Sequence, residues 1–215
     1  MDWRERYERA AARYAAGETR ELDERQLVQL ANAAWAAGLS LLMVGDHEES
    51  AEWLRRSAAR YRESWDVGGA TSVWGRPLGA MKALLIAGED AGDPARWALA
   101  AGAAEAESPI GRYAGALALL VLGRDDEAGD LVPTLGEEFP SDVAEAMRAL
   151  AVHDAGVYGL AVESVRRSFE ERKDFLEDVP VADTALALDA LARRRFLAAP
   201  AQEPRRPRPG REDRK

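Results

Sequence analysis

Turns that contain glycine divide this chain into helical stretches, and they constrain its fold more than any other feature. Gly45, Gly123 and Gly156 each stand between two stretches whose apolar residues recur with helical spacing. Gly123 and Gly156 are 33 residues apart, and so are Ala128 and Ala161, which begin a second helix face after each turn. A period in the low thirties built from helix pairs is typical of arrays of helical hairpins. Signals for strands are nearly missing, so we predict an all-α fold with about ten helices.

Local signals also predict where several helices begin and end. Gly45 should end one helix in a left-handed turn, with Asp46 capping the next, and Gly156 should turn the chain into a late helix. A serine or aspartate followed by proline should begin further helices. A proline within a helix should interrupt that helix. These positions are Asp93–Pro94, Ser108–Pro109, Asp178–Pro180 for the last helix, and the internal Pro133.

The stretch Gly115–Pro140 resembles a tetratricopeptide repeat. Gly115 matches the small residue of the first helix, Gly123 the turn, Ala128 the small residue of the second helix, and Pro140 the terminal proline. Two other stretches, 34–54 and 156–165, are similar to the same pattern. The resemblance implies a short right-handed α-solenoid of about four helical hairpins, with a capping helix at each end. It also implies a concave groove, lined by the first helix of each pair, that binds a protein or peptide.

The composition of the 215 residues predicts one globular domain and a tail. Hydrophobic residues make up 47% and charged residues 31%, which predicts that residues 1–197 fold as a single domain. Residues 198–215 alternate proline with arginine, so we expect a disordered tail. The chain lacks cysteine, a signal-peptide pattern and a long apolar run, since Ala31–Val44 has only 14 residues. We therefore expect a cytoplasmic protein, and the abundance of arginine and alanine is typical of a bacterial genome rich in G and C.

The net charge argues against nucleic acid as a partner. The chain carries −9, and the tail from Ala198 has six positive and three negative residues, or +3, which leaves −12 for the rest. A body of this charge repels phosphate backbones. We expect neither a nucleic-acid partner nor a membrane partner, and the sequence leaves the oligomeric state open.

The segment Trp65–Lys82 interrupts the repeat period and is the candidate binding site. It contains Trp65, Asp66, Trp74, Arg76 and Lys82. Long irregular segments in compact domains are often functional, and the two cations could hold one anionic group near a helix N-terminus. The alternative is that the two tryptophans form a hydrophobic plug and that Arg76 pairs with a surface carboxylate.

Motifs for catalysis or metal binding are missing. The sequence has no phosphate loop, serine elbow or zinc-protease motif. The two histidines, His47 and His153, are best explained by their positions near helix ends. We therefore expect no catalytic residues, no metal and no cofactor, although an active site distributed over the chain would escape this search.

Three functions follow as hypotheses. The first is a scaffold or adaptor that binds a protein or peptide in the concave groove. The second is a regulatory domain that binds a small molecule or anion around Trp65–Lys82. The third is an immunity-type protein that neutralises a toxin. The sequence does not identify the ligand or the partner.

Overall fold

The computed structural model describes residues 2–18, 21–68 and 73–197, and every regular element in these ranges is helical. The all-α prediction is therefore confirmed for them. The ten α-helices are α1 (Trp3–Gly17), α2 (Glu24–Val44), α3 (His47–Gly68), α4 (Gly75–Ile86), α5 (Gly92–Ala100), α6 (Pro109–Val121), α7 (Asp125–Leu131), α8 (Ser141–Ala151), α9 (Ala155–Glu170) and α10 (Asp183–Ala192). The disordered tail predicted for 198–215 lies outside the described residues.

Most helix ends follow the predicted local signals. Gly45 has a φ of 86° and ends α2, while the Asp46 side chain accepts the N–H of Glu49 at 3.3 Å. Ser108 caps α6 by accepting the Gly111 N–H at 3.2 Å. A 3₁₀ turn at Val132–Leu135 contains Pro133 and ends α7, as the internal proline predicted.

Two predicted helix starts are wrong because other residues supply the caps. Gly156 lies inside the first turn of α9, and the chain turns instead at His153, whose φ is 56°. Asp154 then caps α9 by accepting the Val157 N–H at 2.9 Å. The two turns at Gly123 and His153 are thus 30 residues apart rather than 33. Asp93 lies within the first turn of α5 and does not cap it.

The last helix also begins later than predicted. Residues Val179–Ala182 are not helical, and α10 starts at Asp183. The side chains of Val179 and Val181 are buried in the same cluster as residues of α2. The Val181 N–H donates to the Val179 carbonyl at 2.9 Å, so the chain makes a tight turn at Pro180 instead of a helix. At the other irregular segment, α3 continues to Gly68, so the break before α4 is shorter than the predicted Asp66–Gly75.

Consecutive helices pack against each other along the whole series from α1 to α9. In addition, α4 packs on α6, and α6 packs on α8. Gly115 lets α6 approach closely, since a Cβ at this position would lie 2.8 Å from backbone atoms of Ala104. The last helix, α10, contacts α4 and α8 as well as α9, so it is not confined to the end of the series.

Within the described ranges, α2 is the one helix with the length and apolar composition to cross a membrane. Of its most apolar 18-residue window, 67% is buried against the rest of the protein, which is also typical of a core helix.

Candidate functional site

The two tryptophans of the predicted site belong to an aromatic cluster. Trp65 lies 6.3 Å from Trp74 and 5.2 Å from Trp97, measured between ring centroids, and the second contact is edge-to-face. Trp74 is 7% exposed and lies against Gly111 at the start of α6. Asp66 is exposed and forms an ion pair with Arg62 one helical turn earlier. The indole rings thus join α3, α4, α5 and α6, as in the plug interpretation.

Arg76 connects the start of α4 with two other helix ends. Its side chain is buried, donates a hydrogen bond to the Ser64 carbonyl at 3.1 Å and forms an ion pair with Glu24. Glu24 belongs to the first turn of α2, so the guanidinium is held between three helices. Both terminal nitrogens of Arg76 have protein acceptors, whereas its buried Nε–H has none among the described residues.

Lys82 lies on the opposite side of α4 and is paired with the C-terminal part of the chain. Its ammonium group donates to the Asp183 carboxylate at 2.5 Å and to the Thr184 hydroxyl at 3.1 Å. It also lies 5.8 Å from the ring centroid of Trp35. The structure therefore does not bring Lys82 and Arg76 together at one anion, because the two cations have separate carboxylate partners.

Buried tyrosines surround the Lys82–Asp183 pair. The Tyr61 hydroxyl donates to Asn32 at 2.7 Å, and Tyr113 is 7% exposed. Burial raises the pKa of both hydroxyls above the ordinary tyrosine value. Burial alone would lower the pKa of Lys82, but the Asp183 carboxylate and the Tyr113 hydroxyl together outweigh it and hold the pKa above its ordinary value. Lys82 is therefore a protonated cation at neutral pH, which suits electrostatic anchoring and not nucleophilic attack.

Residues 175–182, which we call the strap, cross α1 and α2 on the way to α10. Val179 and Val181 are 5% and 6% exposed and pack into the α1–α3 core. Arg6 of α1 donates to the Asp178 carbonyl, and Arg13 forms an ion pair with Glu177. We call the sides of α1, α2, α4 and α8 that contact the strap and α10 the interior face. The sequence analysis assigned a groove lined by the first helices of the predicted pairs to a ligand.

Clefts remain open along the strap. One of about 840 Å³ lies between α1 and the strap and is lined by cations. A second, of about 720 Å³, has mainly apolar walls that include Met43, Phe169 and Phe175. A third, of about 560 Å³, extends along α2 past Arg13 and Glu177. The strap therefore fills only part of the space beside α2.

The motif search missed every residue of the strap and its arginine partners. Two local signals could have identified the strap: proline disfavours helix at the preceding residue, and valines two positions apart match a half-buried extended segment. Its partners could not be found locally, because Arg6 and Asp178 are 172 positions apart. For metals, no group of three or more His, Asp or Glu side chains that could hold an ion converges within the described ranges.

Comparison with protein-family models, curated proteins and solved structures gives no match for this chain. The all-helical fold is compatible with a helical-repeat protein, and no repeat family is identified.

Proposed function

We propose that this protein is a scaffold that binds a protein or peptide partner on its interior face. In this proposal, α2–α9 form four hairpins, stacked as a short right-handed solenoid similar to tetratricopeptide repeats. The packing of α4 on α6 and of α6 on α8 supports it, since these would be the first helices of successive hairpins. The interior face would then be the concave side, where such folds present an extended surface to a ligand.

One observation carries the proposal: this face already accommodates an irregular piece of polypeptide, a 3₁₀ turn at Leu176–Asp178 followed by residues 179–182. The strap buries two valine side chains on α2, and arginines of α1 bind a carbonyl and a carboxylate of the strap. Pockets for alternate side chains, combined with polar contacts to the backbone, are how extended peptides are recognised. The same features would serve a segment of another protein.

Site-specific photo-crosslinking tests the proposal. A photoreactive amino acid is placed at Met43, which is 48% exposed beside the strap, and at Leu160, which is 79% exposed on α9, as the matched control. We expect Met43 to crosslink a partner that mass spectrometry identifies and that rebinds when purified, and Leu160 to leave that partner uncrosslinked. Equal crosslinking from both positions, or no partner that rebinds, would refute the proposal.

A second candidate, binding of a small anion near Trp65, has one observation in its favour. A cleft of about 660 Å³ between α3, α4 and α5 is lined by Arg55, Arg62, Arg96 and Trp97. The buried indole N–H of Trp97 finds no acceptor among the described residues. A buried donor without an acceptor is costly, and an anionic ligand could supply one.

Thermal-shift screening tests this second candidate with nucleotides, sugar phosphates and carboxylic acids. A ligand at a hundred times its Kd should stabilise the protein by about 2.7 kcal/mol, and Trp97→Phe should reduce the shift by removing the donor. The absence of any shift in the wild-type protein would count against it.

The toxin-neutralising hypothesis rests on the net charge of −9. On the interior face, however, arginines contact carboxylate and carbonyl groups, which favours an acidic partner segment over a basic one.

A further inference from the structure

The cations beside the strap form a row on one side of α1. Arg6, Arg9 and Arg13 are spaced by three and four positions, so they share a helix face, and all three line the 840 Å³ cleft with Lys173. Two of them bind the strap, at Glu177 and at the carbonyl of Asp178. The one ion pair described for Arg9 is with Glu5 of its own helix. A protein with a net charge of −9 thus concentrates positive charge at this cleft.

The strap has a chemistry that matches this surface. Its sequence places two acids, Glu177 and Asp178, before Val179-Pro180-Val181. The Glu177 carboxylate pairs with Arg13, Asp178 offers its backbone carbonyl to Arg6, and both valines are buried in the cluster that contains α2. Proline favours an extended backbone around it and lowers the entropy lost on binding. The recognised pattern is therefore one acid, at position 177, followed after one residue by two β-branched residues around a proline.

The strap is held less completely than the helices around it. Glu177 and Asp178 have φ values of 58° and 57°, a left-handed conformation that is unfavourable for residues other than glycine. Open clefts border the strap on both sides, and the preceding residues Glu171–Asp174 are exposed. Segments with strained backbone and few packed neighbours open more readily than core helices. We therefore expect the strap to open more readily than α10, in which Leu188 and Leu191 are buried.

We propose that the arginine row of α1 and the apolar surface of α2 bind an acidic segment of a partner protein, and that the strap is its competitor within the chain. The partner segment carries the pattern of residues 177–181. This inference rests on the proposed function and specifies its ligand. A tethered competitor acts at an effective concentration on the order of millimolar. A partner segment must therefore bind tightly enough, or be concentrated enough, to displace the strap.

A peptide-binding assay on the full chain tests this competition. The probe is a fluorescent peptide with the sequence of residues 174–182, and a scrambled peptide of the same composition is the control. In the variant Val179→Ser/Val181→Ser the strap loses its apolar anchors while the arginine row stays intact. We expect this variant to bind the probe roughly tenfold or more tightly than the wild type, because the tethered competitor is weakened. Introducing Arg6→Glu and Arg13→Glu into the same variant should abolish binding of the probe.

Several results would overturn the inference. One is that the wild type and the variant bind the probe with equal affinity, and another is that the scrambled peptide binds as well as the probe. A third is that the variant forms dimers as its concentration rises, which would indicate exchange of straps between two copies. If the variant loses helical structure, a specific protease site placed within Glu171–Asp174 of the wild type replaces it, and cleavage should then increase probe binding. Crosslinking of a partner from Met43 without any probe binding would refute the acidic-segment inference and leave the scaffold proposal standing.

Discussion

The Lys82–Asp183 pair joins α4 to α10 across 101 positions of sequence and removes two opposite charges from most of their water. Removing one member of such a pair leaves the other buried without compensation, whereas removing both is far less harmful. The pair therefore fixes where α10 begins.

A double-mutant cycle measures this contribution. We expect Lys82→Met and Asp183→Asn each to lower the free energy of unfolding by about 3 kcal/mol. The double variant should lose less than the sum of the two, because the residues contact each other. Urea denaturation provides the values, and the exposed pair Glu145–Arg148 is the control, where Arg148→Ala should cost at most about 0.5 kcal/mol. Strictly additive losses at Lys82 and Asp183 would contradict the pairing.

The same region predicts a loss of stability at high pH. The folded-state pKa values of Lys82, Tyr61 and Tyr113 are all raised, so the folded protein holds these protons more tightly than the unfolded chain. Their stabilisation is complete below the ordinary pKa values of about 10 and is lost as the pH rises above them.

We therefore expect the free energy of unfolding to fall between about pH 10 and about pH 11. Tyr61→Phe should make that fall shallower, because one of the three contributing groups is gone. Urea denaturation across this range is the measurement, and a wild-type stability that stays constant to about pH 11 would be inconsistent with the buried network.

Sequence reasoning identified Arg76 and Lys82 as notable cations but not their partners. Charge and position are visible locally, whereas Glu24 and Asp183 lie 52 and 101 positions away. The expectation that both cations meet one anion depended on their proximity in sequence. On a helix, residues six positions apart point in different directions, and here they reach different parts of the fold.

At the scale of elements, glycine has two different roles that a sequence alone does not separate. Gly115 lies where α6 meets the backbone of Ala103–Ala104. A Cβ added at Gly159 of α9 would have no neighbouring atom within 4 Å. Both are helical, so helix propensity favours alanine at each by about 1 kcal/mol.

Alanine substitutions at these two glycines should have opposite effects. Gly159→Ala should stabilise the protein by up to about 1 kcal/mol through helix propensity. Gly115→Ala should destabilise it by about 1–3 kcal/mol, because the new methyl group meets backbone that cannot rotate away. Thermal and urea unfolding compare the two, and a stabilising Gly115→Ala would show that α6 does not pack this closely on the backbone of Ala103–Ala104.

Helix boundaries were predictable where capping was local. Gly45 and Ser108 act within four residues of the helices they bound, and both were predicted correctly. The start of α10 was not, because Val179 and Val181 are held outside a helix by burial in the cluster that contains α2, far away in sequence. Gly156 misled the repeat count, since His153 adopts the positive φ expected of the glycine.

For the molecule as a whole, the C-terminal part of the chain lies on helices that the sequence assigned to a ligand. The resemblance to tetratricopeptide repeats predicted an available groove with a capping helix at its end. Instead, α10 packs on α4 and α8, and the strap crosses α2. A repeat pattern describes contacts between neighbours in sequence, so it contains no information about a segment that returns across the whole array.

Hydrogen exchange measured by mass spectrometry tests most directly whether the strap shares its site with an acidic segment. We expect the amides of residues 175–182 to exchange faster than those of α4 and α6 in the free protein. An excess of the peptide of residues 174–182, unlabelled, should accelerate exchange in the strap further while α1 and α2 stay protected. A strap as protected as α6, or one whose exchange does not respond to bound peptide, would contradict a displaceable competitor on the interior face.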